Sequence, residues 1–284
     1  MRADPGVSPK SSAVTTAETS AVTTAETSAA FYLPLGAGRF TATASTVGPW
    51  FPDAQHVGPP SALLTRAMEL CAPRDGMQLA RITVEVLGPV PVGEVQVSAE
   101  VERPGRTIEM LGAQMSAGGR NVLRARAWRM AVGSTTDAAG GAAEALPAPP
   151  GPTRWLRPDG WVAGYLDAVE WRWLDGGFEI PGDGRVWARP RIPLVAGEEP
   201  SALQRTVTVS DSANGVGARL DVERWLFLNT ELTVHLHRAP VGEWVGVDAH
   251  TVIGPSGLGT VSANLYDQDG HTGRVTQQLT VRPR

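Results

Sequence analysis

Apolar and polar residues alternate with a period of two through most of this chain, and twice the alternation gives way to a helical period. In the first block "RFTATAS" reads as a strand. Then "GPPSALLTRAMELC" places Pro59 and Pro60 at a helix start and Leu63, Ala67, Leu70 and Cys71 on one stripe. Four alternating stretches follow, "LARITVEV", "EVQVSAEV", "RTIEMLGAQM" and "NVLRARAW", separated by turns such as "SAGGR". The second block repeats the order. Strands "AVEWRWL" and "VWARPRI" lead to the helix "EEPSALQRTVTVSD", then to "TELTVHLH", "WVGVDAHTV", "GTVSANLYD" and "RVTQQLTV". A helix followed by antiparallel strands buries its stripe on one sheet face, so the pattern predicts an α+β protein of two similar halves, each a curved sheet wrapped round a helix.

The halves also echo each other in wording. "ITVEVLGPVPVGEVQVSA" from Ile82 returns as "LTVHLHRAPVGEWVGVDA" from Leu232, and "PSALLTRAMELC" from Pro60 aligns without gaps on "PSALQRTVTVSD" from Pro200. Duplication accounts for this. The expected organisation is a low-complexity tail over 1–30, carrying "AVTTAETS" twice, a first domain over 31–132, a linker over 133–158 and a second domain over 159–284.

A buried polar group left unpaired costs about 1–3 kcal/mol, so an inward position that is apolar in one half and polar in the other needs a reason. Three such positions occur, all in the second half. Asp211 aligns with Cys71 and shares the stripe of Leu203 and Val207. Gln277 aligns with Ala127 and shares the strand face of Val275 and Leu279. At the entry to the central strand Asn229 aligns with Leu79 and Thr230 with Ala80; parity puts Thr230 on the face of Leu232 and Val234. The second half also carries extra residues here, "SANGVGARLDVERWLFLN". A carboxylate that orients or deprotonates water, helped by an amide and a hydroxyl, suits hydrolysis of an activated acyl group. No G-x-S-x-G elbow supports a covalent route.

At these residues the chain resembles the acyl-CoA thioesterase II group, the double-hotdog thioesterases, over about residues 31–284. The resemblance is carried by "QHVGPPSALLTRAMEL", "VWARPRIPLVAGEEPSAL", "SDSANGVG", "FLNTELTVHLHRAPVGEWV" and "GRVTQQLTV". It implies two fused hotdog domains and water-activated hydrolysis of acyl-CoA, with an Asp, a Thr or Ser and a Gln from the second hotdog. The Asp falls on Asp211 and the Gln on Gln277. The ungapped count from His237 and Arg238 puts the third role on Asn229, whereas parity favours Thr230; a bulge would reconcile them. His56 resembles the family's helix-entry histidine and is a candidate substrate contact. Backbone N–H groups near Gly58 are candidates to polarise the thioester carbonyl, and Arg238 is a candidate partner for a CoA phosphate.

Composition narrows the field. The 284 residues are 42% hydrophobic and 19% charged with a net charge of −4, and no Lys/Arg cluster marks a nucleic-acid surface. The single cysteine, Cys71, forms no intrachain disulfide and fits a reducing cytoplasm. No apolar run reaches membrane-spanning length. His235 and His237 alternate on a polar strand face without a third ligand, so no metal and no cofactor is expected. The expected partner is an acyl-CoA or acyl-carrier thioester, and edge strands leave room for a homo-oligomer. Two alternatives stay open: a hotdog enoyl-CoA hydratase or dehydratase, which needs a histidine beside an acid, and a non-catalytic acyl-thioester-binding protein.

Overall fold

The computed structural model describes Met1, residues 29–152 and residues 162–284. The tandem "AVTTAETS", and with it nearly all of the expected tail, lies outside the described residues, as does the stretch 153–161, which ends the expected linker and opens the expected second domain.

The first half runs β1 (Tyr32–Gly36), β2 (Arg39–Ala42), α1 (Gly58–Leu70), β3 (Met77–Val86), β4 (Glu94–Arg103), β5 (Ile108–Ala117) and β6 (Arg120–Ala131). The second runs α2 (Tyr165–Ala168), β7 (Val169–Gly177), β8 (Ile180–Pro190), α3 (Ala202–Ser210), α4 (Ala213–Val216), β9 (Trp225–Asn229), β10 (Glu231–Leu236), β11 (Val245–Ile253), β12 (Leu258–Asp267) and β13 (Gly270–Pro283). Among the described residues these strands form one antiparallel sheet in the order β1-β2-β4-β5-β6-β3-β10-β13-β12-β11-β8-β7, with β9 also paired to β13. The order reads the same from either end once the repeat is applied. Its centre is the β3–β10 ladder, where Thr83 faces Thr233 and Ile82 faces Val234. The repeat sets Ile82 on Leu232, and hence Thr83 on Thr233. A pseudo-dyad therefore passes between the two threonines, whose hydroxyls lie 3.1 Å apart.

α1 packs on β4, β5 and β6, α3 packs on β8 and β11, and the two helices pack on each other. Leu63, Leu64 and Met68 of α1 are buried against a sheet face that offers Leu111, Met115 and Leu123; each such side chain contributes about 1.5–3 kcal/mol when taken out of water. Ser201 caps α3, its hydroxyl accepting from the Gln204 N–H at 3.1 Å. The helices touch most closely where α1 begins. A β-carbon on Gly58 would lie 2.3 Å from the Thr208 carbonyl oxygen, so only glycine permits this approach.

The structure departs from the sequence reading in three places. β1, "YLPLG", lies at the sheet edge, where Pro34 needs no ladder partner for its missing N–H. The extra residues after α3 are not plain loop but α4 and β9. The described part of the expected linker holds a 3-10 turn at Thr136–Ala138 and is pinned: the Trp187 indole N–H donates to the Pro147 carbonyl at 2.7 Å, and Arg172 to that of Pro150 at 3.0 Å.

Candidate active site

The end of α3, the start of α1 and the β9–β13 pair converge on one carboxylate. Asp211 is the residue that ends α3, and its side chain is 3% exposed. Its Oδ1 accepts from Asn229 Nδ2 at 2.8 Å and, at 3.4 Å, from Gln277 Nε2, which also donates to the Asp211 carbonyl at 3.1 Å. Its Oδ2 lies 3.0 Å from His56 Nδ1. The backbone N–H groups of Val57 and Gly58 complete the surround. Pro59 and Pro60 have no N–H, so the positive end of α1 acts on the carboxylate through these two donors.

Burial governs the electrostatics. It pushes the Asp211 carboxyl up to about 7, against the opposing pull of Asn229 and the Gly58 and Val57 N–H groups. It pushes the His56 imidazole down to about 3, so this ring is neutral. Gly58 N–H donates to His56 Nδ1 at 3.1 Å. A nitrogen that accepts there carries no proton, so its contact with Oδ2 then requires a protonated Asp211. With Asp211 ionised, the contact requires the tautomer that carries its proton on Nδ1. One proton thus lies between the two residues. The ring is held flat against Tyr165, with centroids 3.8 Å apart, and the Tyr165 hydroxyl is tied to the Thr208 carbonyl and the Ser212 hydroxyl at 2.9 Å each.

Asp211, His56, Asn229 and Asn214 share a cavity of about 260 Å3 with apolar walls that include Trp50, Val90 and Leu228. The dyad-related position holds a second cavity, of about 360 Å3, where Leu79, Gln78 and Arg74 stand for Asn229, Leu228 and Asn214. The residues of this half that align with Asp211 and Gln277 are Cys71 and Ala127. Asp211, Asn229 and Gln277 thus have no polar counterparts in the first half.

Of the residues marked in the sequence, Asp211, Asn229, Gln277, His56 and Gly58 come together. Thr230 and Arg238 do not join them. Asn229 faces Leu279 across the ladder whereas Thr233 faces Thr276, so the register slips by one residue between them. The slip puts Asn229 on the inward face with Gln277. Thr230 is exposed at the cavity mouth, its hydroxyl 3.4 Å from the Gln278 carbonyl rather than on Asp211. Arg238 lies past the far end of β10. Its guanidinium makes two bonds to Asp267, at 2.6 and 2.5 Å, and further bonds to the His271 and Gly270 carbonyls, so it holds a turn and is not free for a phosphate. The Gly58 N–H, expected to face a substrate carbonyl, is directed at His56 and Asp211 instead. Gln277 is buried and braces the carboxylate without lining the cavity. Three participants carried no signal in the sequence reading: the His56–Asp211 contact, the Tyr165 platform and Asn214. Residues 155 positions apart, and a tyrosine from α2 at the start of the second half, meet only through the helix crossing.

The N-terminal domain of acyl-CoA thioesterases matches residues 46–130 and their C-terminal domain matches residues 141–281. The chain belongs to the acyl-CoA thioesterase family. Its fold is similar to that of several solved structures. A hot dog fold protein of unknown function from Alicyclobacillus acidocaldarius is 17% identical with a TM-score of 0.70, over 90% of this chain and 97% of that one. The tesB protein of Mycobacterium avium subs paratuberculosis is 17% identical with a TM-score of 0.61, over 89% and 96%. The acyl-CoA thioesterase II TesB2 of Mycobacterium marinum is 15% identical with a TM-score of 0.62, over 89% and 95%. At these identities the likeness establishes the hotdog fold. No curated protein sequence matches the chain. Among the described residues no helix is long and apolar enough to cross a membrane.

Proposed function

We propose that this family member hydrolyses the thioester of an acyl-CoA, or of a related acyl carrier, with Asp211 as the base that activates water. The observation that carries the reading is a buried carboxylate, raised to about 7, at the wall of an apolar cavity. Ionised Asp211 takes a proton from water as the water oxygen bonds to the thioester carbonyl carbon. The tetrahedral intermediate collapses by breaking the carbon–sulfur bond. The thiolate leaves, Asp211 returns the proton to it, and a carboxylic acid remains. Asn229 and Gln277 hold Oδ1 in place, while the neutral His56 holds Oδ2. Asn214 lines the cavity and offers an amide donor to the carbonyl oxygen. The Gln277 Oε1 is buried and without a hydrogen-bond partner among the described residues, which leaves an acceptor beside the carboxylate.

The test is thiol release from acyl-CoA by the wild type and by Asp211→Ala and Gln277→Ala. Loss of a general base predicts a fall of about 10²–10⁴ for Asp211→Ala. Unchanged rates in both variants would end the reading. One observation favours a second reading, hydration of an enoyl-CoA: His56 does stand beside Asp211, at 3.0 Å. Consumption of a 2-enoyl-CoA without thiol release decides for it.

A further inference from the structure

Residues 48–54 form a flap between β2 and α1. Its base is tied by His56 N–H to the Thr46 carbonyl at 2.7 Å, Gln55 N–H to that of Val90 at 2.8 Å, and Gly48 N–H to that of Ala54 at 3.0 Å. From this flap the Trp50 indole stands edge-on against Phe227 of β9, with ring centroids 4.8 Å apart, and the Arg284 guanidinium lies 5.6 Å over the ring. Trp50 lines two spaces at once. On one side is the 260 Å3 cavity of Asp211 and Asn229. On the other is an outer groove of about 800 Å3, lined among the described residues by Phe178 and Leu220 as well as the flap. Among the described residues that groove also carries Glu179, Asp221 and Glu223 beside the guanidinium of Arg284. These carboxylates disfavour the phosphates of CoA, while Phe178 and Leu220 offer contact to an uncharged tail.

We infer that Trp50 is the chain-length stop of the acyl site: it closes the Asp211 cavity against the outer groove, so the protein prefers short to medium acyl groups. This rests on the thioesterase reading for the identity of the substrate. The inner cavity holds the volume of about nine waters at ~30 Å3 each, and a methylene fills much the same space. A tail longer than that meets the indole. Removing the indole joins the cavity to the groove, where Phe178 and Leu220 give a longer tail apolar side chains to meet. Phe51, the other shared wall, is 40% exposed and leaves the partition to its neighbour.

The experiment uses the full chain as wild type, Trp50→Ala and Trp50→Phe, with even-numbered acyl-CoAs from acetyl to hexadecanoyl, read by thiol release. The Kd of the matching non-hydrolysable thioether analogues is measured in parallel. The wild type should lose kcat/KM steeply beyond about octanoyl, since a methylene that does not fit costs on the order of tenfold. Trp50→Ala should raise the ratio of hexadecanoyl to hexanoyl turnover at least about tenfold, and Trp50→Phe, which keeps the fold's aromatic contact, should fall between. A wild type that turns over all lengths alike, or a variant ratio that does not move, overturns the inference. If no variant releases thiol, the thioesterase reading fails, and the Kd series still decides this one. A length cut-off that relaxes in Trp50→Ala supports it, and a flat series or no binding at all contradicts it.

Discussion

At the scale of single residues the account turns on a carboxylate that burial disfavours as an anion. The folded state raises Asp211 from an ordinary aspartate value to about 7, so between roughly pH 4 and 7 the folded protein binds a proton the unfolded chain has released. Stability is therefore greatest with the proton on and falls as pH rises through that window. Asp211→Asn removes the ionisation while keeping an oxygen for Asn229 and an amide for His56. It should melt at a higher temperature than the wild type at pH 8, with the difference shrinking toward pH 4, as followed by circular dichroism. Equal melting temperatures at both pH values would contradict this. Asn229 pulls the other way, because its donor favours the anion. Asn229→Ala should move the acid limb of the pH–rate profile to higher pH.

Elements explain why parity alone misplaces the third polar residue. The strand alternation is correct on either side of Thr230, yet β9 and β10 are out of phase because β13 pairs with each in a different register. A one-residue slip exchanges the faces of every residue beyond it. Nothing in "FLNTELTV" announces the slip, since Asn, Thr and Glu are equally at ease at a solvated bulge. The helices follow their stripes. The stripe of Leu203 and Val207 does lead to Asp211, which ends α3 and stays buried rather than entering a solvated turn. The crossing of α1 and α3 leaves no such periodic trace, and Gly58 is its sole marker. Gly58→Ala should push α1 from α3, because the added carbon meets the Thr208 backbone rather than a yielding side chain. The expected cost is about 1–3 kcal/mol, read as a lower melting temperature together with lost turnover, because Val57 and His56 move with the helix.

Over the whole molecule, the duplication visible in "ITVEV" and "LTVHL" becomes a pseudo-dyad, and the site lies off it, on one side. Two halves with the same fold could have given two sites; Cys71, Leu79 and Ala127 in the first leave the Asp211, Asn229 and Gln277 set in the second alone. That asymmetry is plain in the sequence because each half serves as the reference for the other. The sharing of the site between halves is not, because it depends on α1 reaching across to α3. The second half supplies Asp211, Asn229 and Gln277, but His56, Val57 and Gly58 come from the first. An isolated second half should therefore show no thioesterase activity, and mixing or co-expressing it with the first should restore some. An active isolated half would mean that the first contributes nothing to the chemistry. The same holds for stability, since the β3–β10 ladder and the helix pair both cross the junction. A single cooperative unfolding transition is expected in calorimetry, with two resolved transitions as the contrary outcome.

The most direct test of Asp211 as the water-activating base is the pH dependence of acyl-CoA hydrolysis in wild type and Asp211→Asn. The account predicts that wild-type kcat/KM climbs with unit slope and levels off above about pH 7, and that Asp211→Asn is lower by about 10²–10⁴ with no such limb. An Asp211→Asn protein that keeps both the rate and the limb of the wild type would contradict it.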